Sequence, residues 1–162
     1  MATEKTVPAL DRDVFDAVYA AHYPQLVRLA RLTTDSLAAA EDLVQDAFVE
    51  WCRRGDRVRD PVPYLRRAVV SKCTTWVRRR RLERRHARAA APDPPAVAVG
   101  ADAAAVRAAL ARLGPRQRAA VFQRYYLDLP EAEIADALGC RPGTVKSLLH
   151  RGLNVMKEHL DG

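Results

Sequence analysis

The chain of 162 residues is long enough for one medium domain or two small ones, and with 49% hydrophobic and 29% charged residues it is neither collagen-like nor wholly disordered. Three cysteines without paired spacing make no disulfide framework, residues 1–10 have no signal-peptide core, and no apolar run reaches the roughly 20 residues of a bilayer span, so a reducing cytoplasm is expected and membrane insertion is not. The net charge of +7 is unevenly spread: −5 over residues 1–50, +11 over 51–90 and +1 over 91–162.

Spacing predicts helices nearly throughout, because strict polar/apolar alternation over a strand length is absent. Asp11 or Asp13 caps a first helix with Phe15, Val18, Leu26 and Leu29 on one face, and Pro24 predicts a kink or break in it. Asp35 or Ser36 caps a second, in which Leu37, Ala40, Leu43, Ala47 and Trp51 form the buried stripe while Glu41, Asp42, Gln45, Asp46 and Glu50 lie away from it. Gly55 and Asp60-Pro61-Val62-Pro63 punctuate a loop. A third long helix follows, with Tyr64, Leu65, Ala68, Val69, Cys73, Trp76 and Val77 as its apolar stripe and Arg66, Arg67 and Lys72 on the other face.

Arginines crowd between Arg78 and Arg88, a stretch that attracts a polyanion, nucleic acid in preference to an acidic membrane surface; a solvated basic helix end is the plain alternative. Residues 86–102 turn Ala/Pro-rich without a helical stripe, which predicts a flexible linker. The expectation is an all-α chain of two small helical domains, residues 11–85 and 103–162, joined by that linker.

Helices then resume. Ala103 to Leu113 ends at Gly114, a suitable residue just past a helix end, and Pro115 suits the first turn of the next helix, Arg116 to Tyr126. Asp128-Leu129-Pro130-Glu131 has the form of a capping box for a short helix that Gly139 closes. Arg141-Pro142-Gly143-Thr144 opens the last helix, with Val145, Leu149, Leu153, Met156 and Leu160 on one side. A short helix, a tight turn at Gly139-Cys140 and a longer helix with a polar, basic start form the layout of a helix-turn-helix. Ile134 and Ala135 face inward in this layout, and Arg141, Thr144, Lys146, Ser147, His150 and Arg151 are available to reach base edges and phosphates.

Residues 131–151, Glu-Ala-Glu-Ile-Ala-Asp-Ala-Leu-Gly-Cys-Arg-Pro-Gly-Thr-Val-Lys-Ser-Leu-Leu-His-Arg, resemble region 4 of the extracytoplasmic-function (ECF) sigma factors of bacterial RNA polymerase, of actinobacterial type. Residues 40–51, Ala-Glu-Asp-Leu-Val-Gln-Asp-Ala-Phe-Val-Glu-Trp, resemble their region 2.2. The two matches stand in the right order, and the resemblance covers about residues 13–85 and 103–160. It implies a promoter-specificity subunit without catalysis of its own. Asp42, Gln45, Asp46 and Glu50 would contact the β′ clamp of core polymerase, and the second domain would meet the β flap. Arg66, Arg67, Lys72, Trp76, Arg78 and Arg79 would serve the minus-ten element and its opened strand, and residues 141–151 the minus-thirty-five element. Trp76 or Tyr64 could offer a stacking face, although both sit at core spacing with Leu65 and Val69, which favours packing. The resemblance further implies an anti-sigma factor as external inhibitor.

The sequence departs from the family at several points. Ser71 and Thr75 stand where Asn and Asp are common, Leu148 stands where the recognition helix often has Arg, and Pro130 replaces a usual serine cap. No phosphate-cradling Gly-rich loop, hydrolase elbow or zinc-like pairing occurs, so neither cofactor nor metal is expected. Cys52, Cys73 and Cys140 read as small buried thiols, and His22, His86, His150 and His159 as unpaired. A free-standing helix-turn-helix regulator, or an adaptor that keeps only the polymerase contact, is the alternative function.

Overall fold

A computed structural model of the protein describes residues 10–86 and 101–162, with side chains from residue 104 in the second span. The order is α1 (Arg12–Thr34), α2 (Leu37–Arg54), a 3-10 turn (Gly55–Arg57), α3 (Pro61–His86), α4 (Ala101–Ala111), α5 (Pro115–Tyr125), α6 (Glu131–Leu138) and α7 (Pro142–Asp161). No strand occurs among the described residues. The core of the expected linker, residues 87–100, lies outside them. Its two ends belong to helices, since α3 runs through His86 and α4 starts at Ala101.

Local chemistry sets the first corner. Asp11 Oδ1 accepts the Asp13 N–H at 2.9 Å, so Asp11 starts α1. Pro24 does not break the helix, which continues to Thr34. The lost hydrogen bond is offset by packing, since Tyr23 stacks on Tyr19 at 4.6 Å and Leu26 is buried. Asp35 ends α1 in the left-handed conformation at φ 57°, which Asp tolerates better than most residues, and Ser36 accepts the Ala39 N–H to start α2.

The buried stripe of α2 is Ala40, Val44, Ala47, Phe48 and Trp51. It keeps Ala40, Ala47 and Trp51 of the expected stripe and adds Val44 and Phe48, whereas Leu37 is exposed and Leu43 only partly buried. Once Trp51 and Phe48 join Phe15 of α1 in an aromatic cluster, with ring centroids 5.7–6.1 Å apart, the helix rotates toward them. The helix α3 begins earlier than expected, at Pro61, because a proline in the first turn loses no needed hydrogen bond. It buries Leu65, Val69, Val70 and Cys73, whereas Trp76 and Val77 are only partly covered. Helices α1 to α3 thus share one core, centred on Trp51, Leu65 and Val69.

Helices α4 to α7 build a second core from Leu113, Ala120, Val121, Ile134, Val145 and Leu149. Gly114 does not lie past a helix end in a left-handed turn. With φ −64° it is the N-cap of α5, and its N–H donates to Gln117 Oε1 at 3.1 Å. The expected cap at Asp128 is also absent: that residue takes φ 52°, Leu129 N–H returns to the Gln123 carbonyl, and α6 starts after Pro130 without a side-chain cap. On α7 the inward residues are Val145, Leu149 and Gly152, while Leu153 and Leu160 are exposed. Gly152 lets α5 come close, since a Cβ there would meet Val121 Cγ2 at 3.2 Å.

The two helical units pack on each other. Leu29 of α1 and Val70 of α3 join Ala119 and Phe122 of α5 in a third buried cluster. Each fully buried Leu, Val or Phe is worth about 1.5–3 kcal/mol against exposure.

Candidate nucleic-acid and polymerase interfaces

The α6–α7 pair has the geometry its sequence calls for. Gly139 takes the left-handed conformation, φ 62° and ψ 40°, and the Cys140 N–H donates to the Ala135 carbonyl at 2.9 Å, which turns the chain sharply. Ile134 and Ala135 are buried, fixing α6 against α7. Arg141 is the N-cap of α7, and its carbonyl accepts the N–H of Thr144 and Val145. With each residue turning about 100° around the helix, Lys146, His150, Ser147, Arg151 and Thr144 occupy one continuous arc opposite Val145 and Leu149.

All six expected contact residues, Arg141, Thr144, Lys146, Ser147, His150 and Arg151, are exposed. Several are oriented by their own helix. Ser147 Oγ donates to the Gly143 carbonyl at 3.2 Å, Arg151 Nε donates to the Ser147 carbonyl at 3.3 Å, and the His150 ring meets Asn154 at 3.3 Å. Lys146 lies 4.0 Å from Glu131 of α6. The start of α7 has no side-chain cap, so its first N–H groups add the positive end of the helix dipole to this basic face.

The six residues expected at the minus-ten element do not form one free patch. Arg66 donates to Glu133 at 2.9 Å and Arg67 lies 3.6 Å from Asp136, both carboxylates on α6. Lys72 pairs instead with Glu50 of α2 at 3.2 Å. Trp76 is half-buried outside the main core, and the guanidinium of Arg80 lies over its ring at 5.7 Å. Arg78 and Arg79 are exposed. Tyr64 packs against the core with Arg54 over its ring, and burial raises its pKa.

On α2, Asp42, Gln45 and Asp46 are exposed along one face. Glu50 is different. It pairs with both Lys72 and Arg54, and the hydrogen bond from Lys72, set against partial burial, holds its carboxyl below the ordinary range. Sequence reasoning missed Val49, which is 48% exposed on the same face as Asp42 and Gln45. Its signal was an apolar residue seven positions after Asp42, outside the buried stripe. Val49, Gln45 and Cys52 border an apolar groove of about 400 Å³ floored by Phe15, Tyr19 and Phe48.

The cysteines divide three ways: Cys73 is buried and its thiol is pushed up to about 12, Cys140 is partly buried, and Cys52 is exposed, contrary to the expectation of three buried thiols. No helix among the described residues is long and apolar enough to cross a membrane.

Residues missed altogether are those that join the two units. Arg118 of α5, its side chain 9% exposed, donates to the Leu32 carbonyl at 2.8 Å and to Asp35 Oδ1 at 2.7 Å. Arg28 of α1 hydrogen-bonds the Tyr126 hydroxyl and lies over its ring. Only the position of Arg118 beside Ala119, one turn before Phe122 on a buried helix, hinted at it.

Comparison with known proteins identifies both halves of the chain. Residues 18–83 match the family described as Sigma-70 region 2, and residues 103–156 match Sigma-70, region 4. The chain is 35% identical over 140 residues to the RNA polymerase sigma-E factor of Streptomyces coelicolor, covering 83% of this chain and 79% of that protein. It is 37% identical over 144 residues to the ECF RNA polymerase sigma factor SigM of Mycobacterium tuberculosis, covering 85% and 72%. Among solved structures, the sigma factor RpoE of Bartonella quintana, in complex with the anti-sigma factor NepR, shares the fold with a TM-score of 0.79 at 22% identity, over 92% of this chain and 98% of that one. CnrH in complex with the cytosolic domain of CnrY gives 0.68, also at 22% identity, over 93% and 90%. With both regions matched in order and relatives above one-third identity along most of their length, the chain belongs to the ECF sigma factors of RNA polymerase.

Proposed function

We propose that the chain directs promoter-specific initiation by joining core RNA polymerase to promoter DNA, with the work divided between residues 11–85 and 103–162. The observation that carries this reading is the outer arc of α7: Arg141, Thr144, Lys146, Ser147, His150 and Arg151 are all solvent-facing on a helix whose other side is buried. Such a helix fits the major groove, with arginine and lysine donating to guanine or phosphate and the hydroxyls reading less selectively. In this reading α7 meets the minus-thirty-five element, and α3 with Arg66, Arg67, Lys72, Trp76, Arg78 and Arg79 serves the minus-ten element.

Opening DNA without ATP requires that exposed phosphates and unpaired bases be held better than the duplex. The arginines supply the first, and the ring of Trp76, partly open, supplies the second. The exposed α2 face, Asp42, Gln45 and Asp46 with Val49 and its apolar groove, docks on the β′ clamp; acidic groups steer toward a basic partner and the apolar part supplies burial. Glu50 orders that face through Lys72 and Arg54. The second unit meets the β flap.

The chain itself carries no catalytic step; RNA synthesis belongs to the polymerase, and the site of action is the cytoplasm. An anti-sigma factor is its external inhibitor, supported by the NepR complex of RpoE. Run-off transcription with purified core polymerase tests the reading. Specific transcripts that disappear with Arg141→Glu/Lys146→Glu are expected. Binding to DNA without any association with core polymerase would replace this function with that of a free-standing regulator.

A further inference from the structure

The outward surface of α7 does not stop at Arg151. Asn154 is exposed and, at about 100° per residue, lies about 20° around the helix from Ser147 and about 40° from His150. Lys157, also exposed, follows one turn further on. The cations border this row on both sides. Lys146 and Lys157 stand along one edge and Arg151 along the other, with Asn154 about 60° from both Arg151 and Lys157. A major groove has the same cross-section, phosphates on its two walls and base edges on its floor. Charge marks the same extent along the axis: α7 holds no carboxylate before Glu158, so the stretch from Arg141 to Lys157, about 24 Å long, presents only neutral or basic side chains.

Asn154 is held by its neighbour on this row. Its Nδ2 lies 3.3 Å from Nε2 of His150, one turn back. An amide nitrogen only donates, so the ring nitrogen accepts and the imidazole proton sits on Nδ1. The bond uses one of the two amide N–H groups and sets which way the amide faces. One N–H donor and the carbonyl acceptor remain. A donor beside an acceptor matches adenine in the major groove, where N7 accepts and the N6 amino group donates. Guanine, with two acceptors, and cytosine, with an amino donor, each satisfy half of that pattern.

We propose that Asn154 is a base-reading residue of α7 with adenine as its target, and that His150 is the positioning residue that holds its amide in the adenine-reading sense. Lys157 anchors a phosphate beside it. The inference rests on the reading of α7 as the promoter-facing helix and extends that contact to the fourth turn, with α7 lying along the groove rather than entering by its tip.

The test is selection by the reconstituted holoenzyme from duplexes carrying a randomised segment, read by sequencing and followed by competition titrations on the selected motif. The parent should select an adenine that Asn154→Ala no longer prefers, a loss of about five- to tenfold at that position with the other positions intact. Asn154→Asp, which only accepts, should turn the preference to cytosine, and Asn154→Gln should keep part of the preference for adenine. His150→Ala should weaken the same preference, and His150→Ala/Asn154→Ala should lose no more of it than Asn154→Ala alone. Lys157→Ala should weaken all sequences alike and flatten the salt slope by about 0.9. All three side chains are exposed, so the variants should fold as the parent does. An Asn154→Ala variant that selects the parent's motif, or that weakens every sequence equally, would overturn the assignment to a base. Adenine preference left intact by His150→Ala would overturn the positioning role. A motif that Arg141→Glu/Lys146→Glu selects as the parent does would refute the functional reading of α7 and this inference with it. A motif lost in that variant but untouched by Asn154→Ala would refute the inference alone.

Discussion

Removing the cations of the α7 arc should flatten the salt dependence of DNA binding by a calculable amount. Arg141→Ala/Lys146→Ala/Arg151→Ala deletes three exposed positive side chains, none of them in a core, so folding stability should move by no more than about 0.5 kcal/mol per site. Each phosphate neutralised on duplex DNA contributes about −0.9 to the slope of log K against log salt. Three full contacts would therefore flatten the slope by about 2.7. Lys146 should give less than its full share, because Glu131 at 4.0 Å already compensates part of its charge. Lys146→Ala alone should therefore flatten the slope less than Arg141→Ala alone, and Glu131→Gln in the parent should tighten binding. Anisotropy titrations of the full chain with a labelled duplex, from about 50 to 200 mM salt, read these slopes directly. Parallel lines for the triple variant and the parent would refute the assignment of this arc to phosphate contact.

Four further outcomes follow from the geometry. Gly139→Ala forces a Cβ into the left-handed conformation and should cost about 1–2 kcal/mol in urea unfolding, with Gly139→Asn costing less. Gly152→Val drives a branched side chain into Val121, already 3.2 Å from the first added carbon, and should cost about 1–3 kcal/mol in thermal melts. Burial holds the Cys73 thiol up at about 12 while the unfolded thiol ionises near 8.5, so stability should fall as pH rises between those values; Cys73→Ala should make that slope shallower, leaving the part due to Tyr19 and Tyr64, whose hydroxyls burial also raises. The Glu50 carboxyl is lowered by Lys72, so its contribution is present above the unfolded carboxyl pKa and lost as pH falls through the folded one. Glu50→Gln should remove that part of the acid sensitivity in pH-dependent melts.

Element types were legible in the sequence because helical spacing, caps and breakers agree locally. Asp11, Ser36 and Gly139 occupy the cap positions their chemistry suits. Finer detail was decided by packing. The stripe of α2 turned toward Phe48 because of rings contributed by α1, a choice no local spacing records. The helix runs on past Pro24 without a break, and Asp128 was drawn into a left-handed turn when Leu129 tied back to Gln123. The α7 arc could be read because a polar run at the start of an amphipathic helix is a local pattern. The pairing of Arg66 and Arg67 with α6 joins residues more than sixty positions apart, and their positive charge gave no sign of the carboxylates opposite.

The seam shared by α1, α3 and α5 bears on how this protein can be dissected. A fragment ending at residue 86 would carry Leu29 and Val70 bare to water, and the complementary fragment would carry Ala119 and Phe122 bare beside an Arg118 stripped of both its acceptors. Each piece would be stickier than its counterpart in the intact chain. Affinities measured on isolated halves would then describe surfaces that the whole molecule keeps covered.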